Sequence, residues 1–160
     1  MSVAFTKEGD SEAFAADLPD RPISPHPNLV TPEGLAQIEA ELAAARGAYA
    51  AAQSAGGAAD GDRTAMARAT RDLRYWSARR ATAQLTERDP AKTVAQFGDR
   101  VTFERKDGRV QTFRIVGEDE ADPAKGSVSY IAPIARALLG KAVGETAAAP
   151  GGEIEITAIE

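Results

Sequence analysis

Arginine is the residue type in this chain whose number and spacing most clearly suggest chemistry. Seven arginines fall between residues 62 and 88, where only three acidic residues oppose them. Residues 1–30 and residues 97–160 are each net negative, so the positive charge is confined to one segment of a chain whose total charge is −5. Guanidinium groups bind phosphate and carboxylate oxygens through paired N–H donors. The pattern predicts a localised anionic partner, and a solvated helix face is the alternative.

The other reactive side chains are scarce. The chain has no cysteine and a single histidine, His26. Disulfides and thiol chemistry are therefore excluded, and both a zinc site and a histidine general base are disfavoured. His26 lies within a proline-rich run at residues 18–27, where an ordinary tail residue is the simpler interpretation.

The composition is that of a globular protein with one domain or two small units in 160 residues. Its apolar runs are too short to span a bilayer, and no apolar run follows a basic start at the N-terminus, as a secretory signal would require. We therefore expect a cytoplasmic protein with no membrane partner. Residues 1–30 are expected to form an extended tail, because their prolines lack amide donors and disfavour helix.

A long helix is predicted to begin at Thr31, an N-cap residue followed by Pro32 at the first helical position. Apolar residues then recur at steps of three and four, which is typical of a heptad seam: Leu35, Ile38, Leu42, Ala45, Tyr49 and Ala52. Gly56 and Gly57 end the pattern.

A second helix is predicted from about Asp62 to Arg88, before Asp89 and Pro90. Its seam begins with Met66, Ala69, Leu73 and Trp76. A short turn between two such helices predicts an antiparallel two-helix coiled coil over residues 31–88.

Residues 97–160 change to the alternating period of strands, after a linker at residues 89–96. Strands are predicted around Val101–Phe103, Gln111–Ile115, Ser127–Ile131 and Ile154–Ile159, with a short helix from Pro133. The predicted fold class is therefore α+β, with a helical N-terminal arm and a small β-rich domain.

Three stretches of the C-terminal half resemble the Gre family of bacterial transcription elongation factors. They are residues 113–122, which contain the run GEDEAD, residues 126–129, and residues 132–141, which read APIARALLGK. The closing residues 150–156 and the start of the first helix fit the same pattern. The resemblance covers roughly residues 30–160 and excludes the proline-rich tail.

This resemblance implies an N-terminal coiled coil followed by an FKBP-like domain. It further implies that the domain docks on RNA polymerase, that the coiled coil enters the secondary channel, and that the polymerase active site then cleaves backtracked RNA. The protein would not itself be an enzyme and would bind no cofactor alone. Its partners would be RNA polymerase, with Mg²⁺ in the polymerase active site, and the nascent RNA 3′ end. We expect a monomer.

The family carries an Asp followed three positions later by a Glu at the tip of the coiled coil. Asp60 falls where the Asp stands, Arg63 falls where the Glu stands, and Asp62 is a neighbouring carboxylate. The resemblance implies that Asp60 and Asp62 help the polymerase hold a second Mg²⁺, for which hard oxygen ligands are suited. Both are also good turn and N-cap residues, which is the alternative interpretation.

The resemblance also assigns two binding surfaces. Positive charge along the family's arm contacts the extruded RNA, which here implicates Arg63, Arg68, Arg71 and Arg74. These arginines could instead solubilise the helix or pair with acids of the first helix. The loop presented to polymerase corresponds to Ser129, Tyr130, Ile131, Ala132, Pro133 and Ile134. Ala132 replaces the family's usual Ser, and the apolar members of this loop could equally belong to the core.

Three other functions remain open. The first is a non-cleaving modulator that binds the secondary channel, since Arg63 replaces an acid. The second is a regulator of nucleoside-diphosphate kinase, whose relatives share the C-terminal domain but have a much shorter arm. The third, a peptidyl-prolyl isomerase, is disfavoured because the only aromatic residues of the domain are Phe97, Phe103, Phe113 and Tyr130.

Overall fold

The computed structural model describes residues 18–55 and 60–160, and for residues 60–62 it describes the backbone without the side chains. The elements in chain order are β1 (Leu29–Val30), α1 (Pro32–Ser54), α2 (Asp60–Thr82), β2 (Gln84–Leu85), β3 (Arg100–Arg105), β4 (Val110–Val116), a 3₁₀ turn (Pro123–Lys125), β5 (Ser127–Ser129), α3 (Pro133–Leu138), β6 (Thr146–Ala149) and β7 (Gly152–Ile159). This arrangement confirms the predicted α+β class.

The described residues divide into two compact units. One unit comprises residues 18–26 with Ile38–Thr82, and the other comprises Pro27–Gln37 with Ala83–Glu160. No helix in the part of the chain that the structure describes combines the length and the apolarity needed to cross a membrane.

Four of the ten predicted seam positions are fully buried. Ile38, Leu42 and Ala45 on α1 and Ala69 on α2 are each no more than 6% exposed. The other six are half-buried: Leu35, Tyr49, Ala52, Met66, Leu73 and Trp76. Early residues of α1 contact late residues of α2. Arg80 Nε forms an ion pair with Glu39 Oε1 at 3.0 Å. Farther along α1, residues 48–55 line a shared hollow with residues 65–72 of α2. Because residue numbers rise on one helix as they fall on the other, the two helices run antiparallel, and their packing as a coiled coil stays a prediction.

The second helix ends earlier than the sequence suggests. It was expected to reach Arg88, but α2 ends at Thr82, whose hydroxyl donates back to the carbonyl of Ala78 at 2.9 Å. The chain then forms β2, which pairs in parallel with β1, and the amide of Gln84 donates to the carbonyl of Asn28 at 2.8 Å. This tertiary pairing outweighs the local helical preference of the following residues.

A five-stranded sheet forms the C-terminal half, in the order β5-β4-β3-β7-β6. The β4–β5 pair is parallel, and the other three pairs are antiparallel. The predicted hairpin between β3 and β4 turns at Gly108, whose φ of 86° favours glycine. The strand β6 was not predicted, because its sequence TAAA has no strand-like alternation.

One face of this sheet carries the hydrophobic core, which α3 covers. Alternate residues point inward: Val101 and Phe103 on β3, and Ile154 and Ile156 on β7, are all at most 1% exposed. The full cluster comprises Ala95, Phe97, Val101, Phe103, Ile115, Val128, Ala135, Leu138, Ala147, Ile154 and Ile156.

Candidate functional site

The predicted tip acids lie at the start of α2. Asp60 is its first residue and Asp62 its third. The side chains of both, together with residues 56–59 before them, lie outside the described residues. In the described part of the chain, no group of three or more His, Asp and Glu residues is placed to hold a metal ion. The role of Asp60 and Asp62 as shared Mg²⁺ ligands therefore stays a prediction.

The four predicted RNA-binding arginines all lie on α2. Arg63, Arg68 and Arg74 are exposed, and Arg71 is half-buried. At 3.6 residues per turn, Arg63, Arg71 and Arg74 fall within about 80° on the helix surface, and Arg68 lies about 60° farther round. The helix therefore presents the four guanidinium groups over one broad face, which we call the arginine face.

Two members of the arginine face already have acidic neighbours. Arg74 Nη1 lies 3.2 Å from Asp20 Oδ1, and both side chains are more than 60% exposed. Arg71 Nε lies 3.6 Å from Asp72 Oδ1, and this buried nitrogen has no hydrogen-bond acceptor among the described residues. Exposed ion pairs contribute only about 0.2–1 kcal/mol, so a phosphate could replace Asp20 at little cost.

Two further arginines lie nearer the end of α2. Arg80 makes the ion pair with Glu39 of α1. Arg79 is only 2% exposed. The sequence alone does not separate these residues from the arginine face, because all carry the same charge.

Residues 18–26 of the N-terminal tail, for which the sequence predicted no role, contact the arginine face. We call this segment the strap. Asp20 of the strap pairs with Arg74, and Arg21 Nη1 lies 3.5 Å from Asp72 Oδ1. The guanidinium of Arg21 also lies 3.8 Å from the ring centroid of Tyr75 and 5.3 Å from that of Trp76. The sequence did not predict these contacts, because two adjacent opposite charges in a proline-rich tail do not indicate which residues they pair with.

The predicted polymerase-docking loop follows β5. Tyr130, Ala132 and Ile134 are partly buried against the hydrophobic core, whereas Pro133 is exposed. The Tyr130 hydroxyl donates to the carbonyl of Pro27 at 2.5 Å, and its ring meets Phe97 edge-on at 5.8 Å.

The same loop is held by its own backbone. The amide of Ala132 donates to the carbonyl of Ser129 at 2.9 Å, and the amide of Ile131 donates to the Ser129 hydroxyl at 3.3 Å. Ala132 caps α3 without a side-chain hydrogen bond, as the missing serine predicts. The docking role of these residues stays a prediction. Of the three residues for which a core role was the alternative, Ile134 packs against the core, the exposed Pro133 does not, and Ile131 is half-buried outside the core cluster.

The GEDEAD run holds the start of α1. The Thr31 hydroxyl donates to Glu120 Oε2 at 2.7 Å and accepts the amide of Gly34 at 3.0 Å, so it serves as the helix N-cap. Arg114 Nη2 donates to Glu33 at 3.2 Å, and its Nη1 lies 3.9 Å from Glu120. A hydrogen bond from the backbone amide of Glu33, and then the hydrogen bond and charge of Arg114, lower the pKa of the Glu33 carboxyl.

The C-terminal half of the chain is similar to a known protein family. Residues 90–160 match the family described as "Transcription elongation factor, GreA/GreB, C-term". The match covers the part of the chain that contains the sheet and α3, which is therefore similar to the GreA/GreB C-terminal domain. This confirms the resemblance noted from the sequence for that part.

The chain is also similar to individual GreA proteins. The chain is 44% identical over 78 residues to "Transcription elongation factor GreA" of Bacillus cereus, a match that covers 47% of this chain and 49% of the relative. It is 49% identical over 79 residues to the GreA of Alkalilimnicola ehrlichii, with 45% and 50% covered. It is 42% identical over 81 residues to the GreA of Bacillus subtilis, a match that covers 49% of this chain and 52% of the relative. The chain thus spans about half the length of the curated relatives it matches.

The solved structures that match the chain include GreA factor homolog 1 (Gfh1) of Thermus thermophilus. It is 20% identical, with a TM-score of 0.38, and the match covers 84% of this chain and 99% of that one. A GreA/GreB elongation factor from Nitrosomonas europaea is 18% identical, with a TM-score of 0.39 and coverage of 84% and 98%.

Proposed function

We propose that the chain is a transcription elongation factor that binds RNA polymerase, inserts α1 and α2 into the secondary channel and stimulates cleavage of backtracked RNA by the polymerase active site. The observation that carries this proposal is the GreA/GreB C-terminal domain at residues 90–160, on a chain that also has two 23-residue helices. In this proposal the helices act as a coiled coil, the domain is FKBP-like, and the protein is a cytoplasmic monomer that is not itself an enzyme.

The dimensions and charge of the arm support this function. Each helix of 23 residues is about 35 Å long at 1.5 Å per residue. The arginine face lies along α2, where extruded RNA would run beside the arm. Arginine binds phosphate without reading the base, which suits a factor that must act on any transcript.

The tip acids have the donor type that the polymerase reaction needs. Asp60 and Asp62 would offer carboxylate oxygens to a Mg²⁺ held mainly by the polymerase, and Mg²⁺ prefers oxygen ligands. The cation supplies a bound water and neutralises phosphate charge during phosphodiester hydrolysis. The chain would contribute these carboxylates from the first and third residues of α2.

A non-cleaving modulator of the secondary channel is the second candidate. It is favoured by Arg63, an exposed cation at the position where the family has its second tip acid. In this case the arm would occupy the channel and change elongation without providing a complete carboxylate pair.

Stalled elongation complexes with labelled RNA separate these functions. In complexes backtracked by several nucleotides, the full chain should shorten the RNA and release a 3′ fragment. Complexes with the 3′ end in the active site are the control and should not be cut. Intact RNA with altered elongation would favour the modulator. Failure to bind polymerase, with recovery of nucleoside-diphosphate kinase from the same extract, would contradict both candidates.

A further inference from the structure

The strap covers part of the arginine face with groups that mimic RNA. Asp20 places a carboxylate on Arg74, and Arg21 places a planar cation against Tyr75. We propose that the strap is a displaceable cover of a single-stranded RNA surface formed by Arg71, Arg74 and Tyr75. This inference rests on the proposed function, because it requires RNA to reach α2.

The covered surface has the composition of a single-strand binding site. Tyr75 is half-buried, and its ring lies edge to face with that of the seam residue Trp76, with ring centroids 4.9 Å apart. Arg74 adjoins Tyr75 in the sequence, and Arg71 lies one turn earlier on the helix. Proteins that bind single strands without sequence preference combine cations that follow the backbone with aromatic rings on which bases stack.

Each strap contact corresponds to a contact that RNA would make. The carboxylate of Asp20 stands where a phosphate oxygen would meet Arg74, since both are anionic acceptors of N–H bonds. The guanidinium of Arg21 stands against a ring where a base would stack, since guanidinium planes and bases both pack on aromatic faces. Asp20 thus occupies the position that a phosphate of RNA would take, and Arg21 occupies the position that a base would take.

The contacts that hold the strap on α2 are weak enough for RNA to displace it. Its ion pair with Arg74 is exposed, with 66% of the Arg74 side chain and 62% of the Asp20 side chain accessible. The pair between Arg21 and Asp72 is more than one third exposed on both sides. Three prolines within residues 18–26 remove amide donors that could fasten the strap by backbone hydrogen bonds. Weak side-chain contacts of this kind are lost readily to a multivalent anion.

The test compares full-length variants for binding of a labelled single-stranded RNA oligonucleotide by fluorescence anisotropy. Asp20→Asn with Arg21→Gln opens the strap. Glu41→Gln with Arg46→Gln removes the same charges from exposed positions of α1 and is the matched control. The open variant should bind about three- to tenfold more tightly than wild type, the effect of one or two exposed charge contacts. Adding Arg74→Gln to it should remove most of the gain.

Trp76, the sole tryptophan, gives a second readout in unmodified protein. RNA should change its emission in the wild type, and the open variant should show part of that change before RNA is added. Equal or weaker RNA binding by the open variant would overturn the proposal and indicate that the strap only supports the helices. No binding of RNA to any form would also overturn it, while cleavage in the polymerase assay would leave the proposed function standing.

Discussion

Thr31 shows how single residues join distant parts of the C-terminal unit. Its hydroxyl caps α1 through the amide of Gly34 and also binds Glu120, which lies 89 positions away. Glu120 belongs to the GEDEAD run, so this family motif has a structural task in this chain. Gly117 opens the same run and is buried beside the carbonyl of Leu29.

Gly117→Ala should destabilise the protein by about 1–3 kcal/mol, because its Cβ would collide with the Leu29 carbonyl oxygen, which is backbone and cannot rotate away. Gly47→Ala is the matched control, since an added Cβ at Gly47 meets nothing within 4 Å. It should stabilise α1 by about 0.5–1 kcal/mol through helix propensity. Urea unfolding monitored by circular dichroism measures both. A Gly117→Ala protein as stable as wild type would contradict the packing described.

Glu33 gives a pH-dependent prediction. Its pKa in the folded protein lies below the ordinary value of 4.5, through the backbone hydrogen bond and Arg114. A lowered pKa means that the carboxylate stabilises the fold above the unfolded pKa and loses this contribution as the pH falls through the folded pKa. The effect should be small, because 64% of the side chain is exposed.

The measurement is the stability difference between wild type and Glu33→Gln in urea at a series of pH values. Wild type should be the more stable protein at neutral pH, and the two should converge as the pH falls below 4.5. A difference that does not change with pH would show that the carboxylate is not held by these contacts.

Some residue roles could be predicted from the sequence and others could not. Thr31 was expected to cap α1 because capping depends on local residue type and position. Its bond to Glu120 was not expected, since it depends on how a distant strand and loop are placed. The same limit applies to Asp20 and Arg21, whose partners on α2 lie more than 50 positions away.

At the scale of elements, α2 combines two functions on different sides. Its inner side contributes Ala69 to the seam, and its outer side carries the arginine face. Heptad spacing predicted the seam, since buried positions must recur with the helical period. The end of α2 at Thr82 was not predicted, because it depends on the pairing of β2 with the distant strand β1. The strand β6 was not predicted, because its sequence TAAA has no strand-like alternation.

Removing two exposed arginines of this face should weaken RNA binding. Arg68→Gln with Arg74→Gln should lower affinity for single-stranded RNA by about tenfold, as charge-assisted contacts to phosphate are lost. The salt dependence of binding should also become shallower, since fewer counterions are released. Arg109→Gln with Arg136→Gln removes equal charge from exposed positions of the C-terminal domain and is the control. Equal loss in both variants would mean that RNA responds only to net charge.

At the scale of the whole molecule, the two compact units do not follow the chain in simple order. Pro27–Gln37 belongs with Ala83–Glu160, although Ile38–Thr82 separates them in the sequence. Three hydrogen bonds fasten residues 27–30 there: Tyr130 to Pro27, Gln84 to Asn28, and Thr86 to Val30.

Two truncations test this division. A chain that begins at Pro27 should keep the stability of the C-terminal unit, because the bonds to residues 27–30 remain. A chain that begins at Thr31 loses three of these bonds and should be about 2–4 kcal/mol less stable. Urea unfolding followed by circular dichroism measures the difference. Equal stability of the two truncations would contradict the assignment of residues 27–30.

The most direct test of the central claim is the rate of RNA cleavage in backtracked complexes saturated with Asp60→Asn and Asp62→Asn protein. Glu41→Gln is the control, because it removes an exposed acid from α1 away from the start of α2. The double variant should still bind polymerase but should lose about 10²- to 10³-fold in cleavage rate, the scale of one lost charge-stabilising contact, while the control cleaves like wild type. Full cleavage by the bound double variant would contradict the account.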